Sequence, residues 1–418
     1  MTDSGQIKRK AELATVLLCY FFAASIDLTG IATNYIKAEL SLSDSQAGFI
    51  PSMMFVWFLL ISIPSGLALN RFGHRKILLA ALCILGAGMA AILPCHSYWT
   101  FLLAVGIMGI GSTVLSVALN PSVAALVPKS RLASTLTAGN SIKAVASLLA
   151  PLLAAWGAVA AGGWLGWKLP YGIFLAVLLV AAALLSSRGV LSGRGNSACE
   201  GVGDDMGESE SAGKGEGVRT DTGSGKHSAA TLADCLRLLR RPAILAAFVA
   251  IVCHVGSDTG INIIAPQLLI RRAGFTLDMA APAASVYFFC RLAGTLAGIY
   301  LLRVIKLRPA LLISLGMLAA GLAGAFLAKS PAAIYASIAL LGLGNAKVYT
   351  LILTQAMLHE AGQENNVSAL MTTGVAGGAI FPPLMGLASD AFGLAGAIAV
   401  IAICIAGVLV YAFRLAQR

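Results

Sequence analysis

Charge is scarce in this sequence, and acid is scarcer than base. Only 11% of its 418 residues are charged, with 18 acids against 29 bases and five histidines. That is too little ionic surface to keep a soluble particle of this size in water. Cysteine pairing is also missing. The eight cysteines, Cys19, Cys83, Cys95, Cys199, Cys235, Cys253, Cys290 and Cys404, form no CxxC pair and no Cys/His cluster, so neither a disulfide frame nor a metal site is implied. No HExxH, Walker loop or GxSxG turn occurs, which argues against a membrane enzyme and an ATP-driven pump. No short interrupted span stands out, which argues against a channel filter.

Long apolar runs are what the chain has in abundance. Hydrophobic residues make up 58% of it, and the mean hydropathy is +0.86. A membrane span needs about 20 apolar residues. Twelve stretches qualify: 13–36, 47–69, 76–94, 99–126, 137–160, 170–186, 242–265, 280–302, 309–328, 331–357, 367–389 and 393–413. The sequence predicts an all-α integral membrane protein.

Basic residues set the expected orientation. With the N-terminus inside, 21 of the 29 Lys and Arg fall on the inner side, and only Lys37, Lys168, Arg271, Arg272 and Lys329 fall outside. This is a positive-inside pattern: both termini are expected in the cytoplasm of a cell whose inner membrane the chain spans. The same bias accounts for the net charge of +11, so no nucleic-acid partner is needed and anionic lipid headgroups suffice. Lys8-Arg9-Lys10 before an apolar run also has the layout of a signal peptide. Against that, the run continues past Asp27 to Ile36, a full span, and cleavage would leave an odd number of spans.

The stretch 187–241 is rich in Gly, Ser, Asp and Glu and poor in large apolar residues, the composition of a disordered cytoplasmic linker. It divides the chain into an N-terminal six-helix bundle, 1–186, and a C-terminal one, 242–418. Two such halves are the layout of a secondary transporter.

Between the second and third spans lies Gly66-Leu67-Ala68-Leu69-Asn70-Arg71-Phe72-Gly73-His74-Arg75-Lys76. This loop resembles the cytoplasmic gate motif of the major facilitator superfamily, with Asn70 where the family has Asp. Further on, Asn120-Pro121, Asn140-Ser141, Ala150-Pro151, Gly342 with Asn345, and Gly377-Gly378-Ala379-Ile380-Phe381-Pro382-Pro383-Leu384-Met385-Gly386 resemble the sugar-transporting fucose:proton symporter family. The resemblance implies two pseudo-symmetric bundles rocking about a central cavity, loaded from alternate sides. It implies no cofactor beyond a proton gradient, with sodium the alternative coupling ion, and a monomer. At Asn70, loss of the carboxylate leaves neutral hydrogen bonding at the cytoplasmic latch and an easier-opening gate.

Ionisable residues within spans cost roughly 2.5–3.5 kcal/mol each at mid-helix and so point to function. Asp27, Lys143, Asp258, Arg291 and Lys347 are of this kind. Asp27 and Asp258 are the candidate proton-coupling groups, Asp27 alternatively in a permanent pair with Lys143. His254 and Asn262 share a helical face with Asp258. Asn120, Asn140, Asn345 and Tyr349 add hydrogen-bonding and aromatic groups suited to a sugar. The candidate solute site is therefore Asn120, Asn140, Lys143, His254, Asn262, Arg291, Asn345, Lys347 and Tyr349. A monosaccharide is the expected solute; two extra lysines keep an anionic solute open as the alternative, and a non-transporting sensor is a second one. Pro121, Pro151, Pro266, Pro382 and Pro383 are expected to permit bends.

Overall fold

The computed structural model describes residues 3–160, 165–187, 237–301, 305, 307–360 and 364–414. The expected linker at 187–241 lies, apart from its ends, outside them, as does the side chain of Asn70. Among the described residues there is no strand. The first bundle comprises α1 (Asp3–Phe22), α2 (Ser25–Glu39), α3 (Asp44–Phe72), α4 (His74–Ile92), α5 (Tyr98–Leu126), α6 (Lys129–Ala160) and α7 (Leu169–Ser187). The second comprises α8 (Pro242–Ala273), the single turn α9 (Leu277–Ala280), α10 (Pro282–Leu301), α11 (Leu307–Leu327), α12 (Pro331–Asn345), α13 (Val348–His359), α14 (Glu364–Thr373), α15 (Gly377–Phe392) and α16 (Leu394–Arg414).

Eleven stretches among the described residues are long and apolar enough to cross a membrane, and α10 lies where the eighth of the twelve expected spans falls. A helix can do this because it pairs its backbone N–H and C=O groups internally, where lipid offers no partner. An even number of spans returns the chain to the membrane end at which it began. We call this the terminal end, and the other the far end.

Three spans are not the continuous helices expected; the eleventh passes through a short 3-10 turn, Gly374–Ala376, between α14 and α15. The first breaks at Ala23–Ala24, where the chain switches to three-residue backbone bonds, Ala23 N–H to Tyr20 O at 3.1 Å and Ala24 N–H to Phe21 O at 3.3 Å. Ser25, just past the break, meets Ser112 Oγ of α5 at 3.3 Å. The tenth span breaks at Ala346–Lys347, between α12 and α13. A half-helix that starts inside the bilayer presents unpaired N–H groups there. Asp27 stands in the first turn of α2, at such a start.

The gate-motif loop is tied to its own bundle. Gly73 ends α3 with φ +83°, a conformation that suits glycine. His74 Nδ1 shares a 3.1 Å hydrogen bond with Ser122 Oγ of α5. Arg75 donates to Leu185 O at 3.2 Å and to Ser186 O, capping the end of α7. Arg71 lies over the neighbouring Phe72 ring, Lys76 is exposed, and Gly66 packs loosely near Val117.

The bundles meet from mid-depth to the far end. Asn34 donates to Ile263 O at 3.1 Å and accepts from Gln267 at 2.7 Å, and Tyr35 donates to Asp278 at 2.9 Å. Ser52 donates to Ala379 O at 2.8 Å, and Ser285 to Leu148 O at 2.9 Å. At the far edge Asp44 accepts from Lys37 of its own bundle and from Arg271 (2.6 Å) and Ser389 of the other. In return, Asp390 accepts from the N–H groups of Asp44 (2.8 Å) and Ser45 (2.9 Å), the first turn of α3, where a carboxylate complements the helix dipole. Between described residues, no hydrogen bond or ion pair joins the bundles at the terminal end.

Asp44 is the hub of this far-end latch, so Asp44→Ala is expected to weaken it by about 1–3 kcal/mol, a shift of roughly 5- to 150-fold toward separation. Electron-paramagnetic distances between spin labels at Ser41 and Phe392 should gain a longer population. An unchanged distribution would show that the latch does not hold this end.

Candidate functional site

Asp258 sits midway along α8. Tyr287 and Arg291, one turn apart on α10, and Asn345, the last residue of α12, converge on it. The Arg291 guanidinium lies 2.9 Å from Asp258 Oδ2 and donates to Oδ1 at 3.1 Å. Asn345 Nδ2 donates to Asp258 Oδ1 at 2.7 Å and to Tyr287 Oη at 2.6 Å, and the Tyr287 hydroxyl donates to the same carboxylate. Gly342 makes this possible. A Cβ there would stand 2.5 Å from the Tyr287 carbonyl, so only glycine lets α12 approach α10 closely enough for Asn345 to reach.

A second cluster belongs to the first bundle. Ser147 of α6 donates to Asp27 Oδ2 at 2.6 Å, and Lys143 Nζ stands 3.9 Å from the same oxygen. Lys143 and Ser147 are one helical turn apart, and Asn140 belongs to the same face. The two clusters face one another. Asn262, one turn beyond Asp258, donates from Nδ2 to the backbone oxygen of Asp27 at 2.9 Å, lying where Gly30 leaves space for it. The ionised groups retain some access, 15% for the Asp27 side chain and 31% for Lys143, against 17% and 29% for Asp258 and Arg291.

The other sequence candidates are placed as follows. Asn140 and Asn120 are exposed on the terminal side of the Asp27 cluster, and Asn120 Oδ1 accepts from Tyr20 at 2.7 Å. His254 is buried one turn before Asp258, its Nδ1 without a partner among the described residues, and its ring centre lies 6.4 Å from that of Tyr349. Lys347 lies in the break between α12 and α13, and its stem runs across Gly298 of α10. The buried Oδ1 atoms of Asn262 and Asn345 also lack partners. The amide orientations are fixed by their partners, because each Nδ2 donates to an atom that can only accept.

Neither Ser147 nor the hydroxyl of Tyr287 was among the sequence candidates. Serine one turn beyond an intramembrane lysine was the available signal. The far-end latch was also missed, although Lys37, Asp44, Arg271 and Asp390 all fall at far-end span boundaries. Chemically the site holds two compensated charge pairs, a further lysine and two free carboxamide oxygens at mid-depth. Among the described residues it contains no group of His, Cys, Asp and Glu able to hold a metal ion.

Comparison with known proteins agrees with this geometry. The chain is 26% identical to a glucose/galactose transporter of Brucella abortus over 147 residues, 34% of this chain and 36% of that protein. It is 28% identical to the L-fucose-proton symporter of Escherichia coli over 134 residues, 31% of this chain and 30% of that one. The chain thus matches only about a third of the length of these curated relatives. A crystal structure of a point variant of the E. coli fucose:proton symporter superposes with TM-score 0.63 at 20% identity, covering 96% of this chain and 97% of that one. An inward-facing bacterial homologue of the human lysosomal transporter Spinster superposes with TM-score 0.70 at 18% identity, covering 97% and 95%. These establish a shared fold. The family model for the Major Facilitator Superfamily matches residues 13–359, most of the chain, and this protein is therefore a membrane transporter of that superfamily, not an enzyme.

Proposed function

We propose that the chain carries a small hydroxylated solute of the sugar class across the inner membrane by proton-coupled alternating access, and that the form described is open to the cytoplasm. The observation that carries this reading is the meeting of the Asp27 and Asp258 clusters at mid-depth. The positive-inside bias assigns the terminal end to the cytoplasm, and the cross-bundle bonds between described residues lie between that depth and the far end. The unpartnered oxygens of Asn262 and Asn345 support a hydroxyl-bearing solute, since a buried acceptor left empty costs about 1–3 kcal/mol and a hydroxyl supplies the missing donor. Relatives named for glucose, galactose and fucose fall in the same class.

The two acids differ in their partners. Asp258 accepts from Tyr287, Arg291 and Asn345, a filled shell that fixes three helices. Asp27 accepts from one side-chain hydroxyl, with an ammonium group 3.9 Å away. A carboxylate with unfilled acceptor positions, beside a cavity whose hydration alternates, is the one placed to load and release a proton. Asp27 takes that role in this reading, and Asp258 that of the fixed counter-ion to Arg291.

The test is uptake of radiolabelled monosaccharides and sugar acids by proteoliposomes. Wild-type protein should accumulate solute under an imposed proton gradient. Asp27→Asn is expected to lose accumulation and keep equilibrium counterflow; a variant that still accumulates would remove Asp27 from coupling.

Asp258→Asn strips Arg291 of its counter-charge and leaves it buried. Both accumulation and counterflow should fall at least tenfold, as for a broken buried pair, worth about 3–5 kcal/mol. Retained counterflow would show that the pair is dispensable for solute binding.

A further inference from the structure

The site carries more positive than negative charge. Asp258 is matched by Arg291 and Asp27 by Lys143, which leaves Lys347. Among the described residues Lys347 has no carboxylate and no hydrogen-bond partner, although it is half-buried. Nor does it reach the lipid headgroups. His359, at the terminal end of its span, is twelve residues away, about 18 Å by helical rise, farther than a lysine side chain extends.

Its direction is fixed by α10. Arg291, Thr295 and Gly298 share one face of that helix, at spacings of four and seven, and Thr295 reaches Ala346 O at 3.4 Å. A Cβ on Gly298 would run into the Lys347 stem, so the lysine lies along the face from which Arg291 reaches Asp258. Glycine at 298 leaves the groove that the stem fills. Among the described residues, the result is an ammonium group without a counter-charge inside the span, two residues beyond Asn345, a costly arrangement in a membrane unless water or an anion completes it.

We infer that the transported solute is a hydroxylated monocarboxylate, a sugar acid rather than a neutral sugar, with its carboxylate read by Lys347 and its hydroxyls by Asn262 and Asn345. The inference rests on the transporter reading above and narrows its substrate class. One unpaired cation matches one carboxylate. A neutral sugar would leave Lys347 unanswered, and Arg291 and Lys143 already have their acids.

The experiment uses the full chain in lipid nanodiscs, titrated with D-gluconate and D-glucuronate against D-glucose and L-fucose and followed by thermal stabilisation. The acids should stabilise the wild-type protein, and the neutral sugars should do so only at concentrations at least tenfold higher. Lys347→Gln should weaken the response to acids at least tenfold, while Lys347→Arg keeps it within a few-fold. Gly298→Ala retains every charge but displaces the stem, and should weaken the same response several-fold. Stabilisation by neutral sugars at concentrations as low as those of the acids, left intact by Lys347→Gln, would overturn the inference and leave the sugar-transporter reading standing. No response to either class would overturn both. A response to acids in protein that accumulates none of them under a proton gradient would keep the binding class and remove proton-coupled transport.

Discussion

A carboxylate at mid-depth in a bilayer needs a counter-charge, and here each of the two finds it in its own bundle. Asp258 and Arg291 are both in the second bundle, Asp27 and Lys143 both in the first. Had either pair been split between bundles, every cycle would pull opposite charges apart in a low-dielectric setting, where losing one partner costs about 3–5 kcal/mol. With each of these pairs kept inside one bundle, movement of one half against the other need not pull either pair apart. The ion pair that does cross, Arg271 with Asp44, is at the far edge, where water can solvate its members as they separate.

The same interaction orders the second bundle. Asp258 on α8 holds Tyr287 and Arg291 on α10 and Asn345 on α12, so one carboxylate fixes three helices and the register of the tenth-span break. Lys347 follows two residues after Asn345, and its position over Gly298 is inherited from that anchor. In the first bundle Asp27 has a thinner shell and a freer setting. The two carboxylates occupy equivalent depths in corresponding spans, yet one is a girder and the other is left able to exchange partners.

Hydropathy made the spans legible, because burial in lipid demands runs of apolar residues that no other fold class tolerates in such number. The intramembrane acids and bases were legible for the complementary reason: each is costly, so each has a use. The breaks were not. Ala23–Ala24 contains neither glycine nor proline, and the chain turns there beside a contact between Ser25 and Ser112, 87 positions apart. Conversely Pro51, Pro64, Pro121, Pro151, Pro266, Pro382 and Pro383 all lie inside helices that continue through them, since no water is at hand to take over the backbone. Partner choice was hidden too: Ser147 is 120 positions from Asp27, and its place one turn beyond Lys143 is the local sign of its role. The latch was hidden by ordinariness, because charges at span ends are what any membrane protein carries.

The far-end seal combines neutral hydrogen bonds, from Asn34, Tyr35, Ser52, Gln267 and Ser285, with apolar packing of Ile31 and Tyr35 against Ala281 and Leu277. Each such bond is worth about 0.5–1.5 kcal/mol net, because water replaces it when it opens. Turning a two-state equilibrium from 1:99 to 99:1 takes about 5.5 kcal/mol of differential binding. A handful of such bonds therefore totals what one solute and one proton can offset, whereas a wholly apolar seal between bundles would have no replacement partner when it opened to water. Asn262 stands where the seal meets the site: its Nδ2 spans the bundles to the backbone of Asp27, while its Oδ1 waits for a donor. In the proposed reading a solute hydroxyl bound there would act on a residue that joins the two bundles at mid-depth, giving loading of the site a direct mechanical route to the seal.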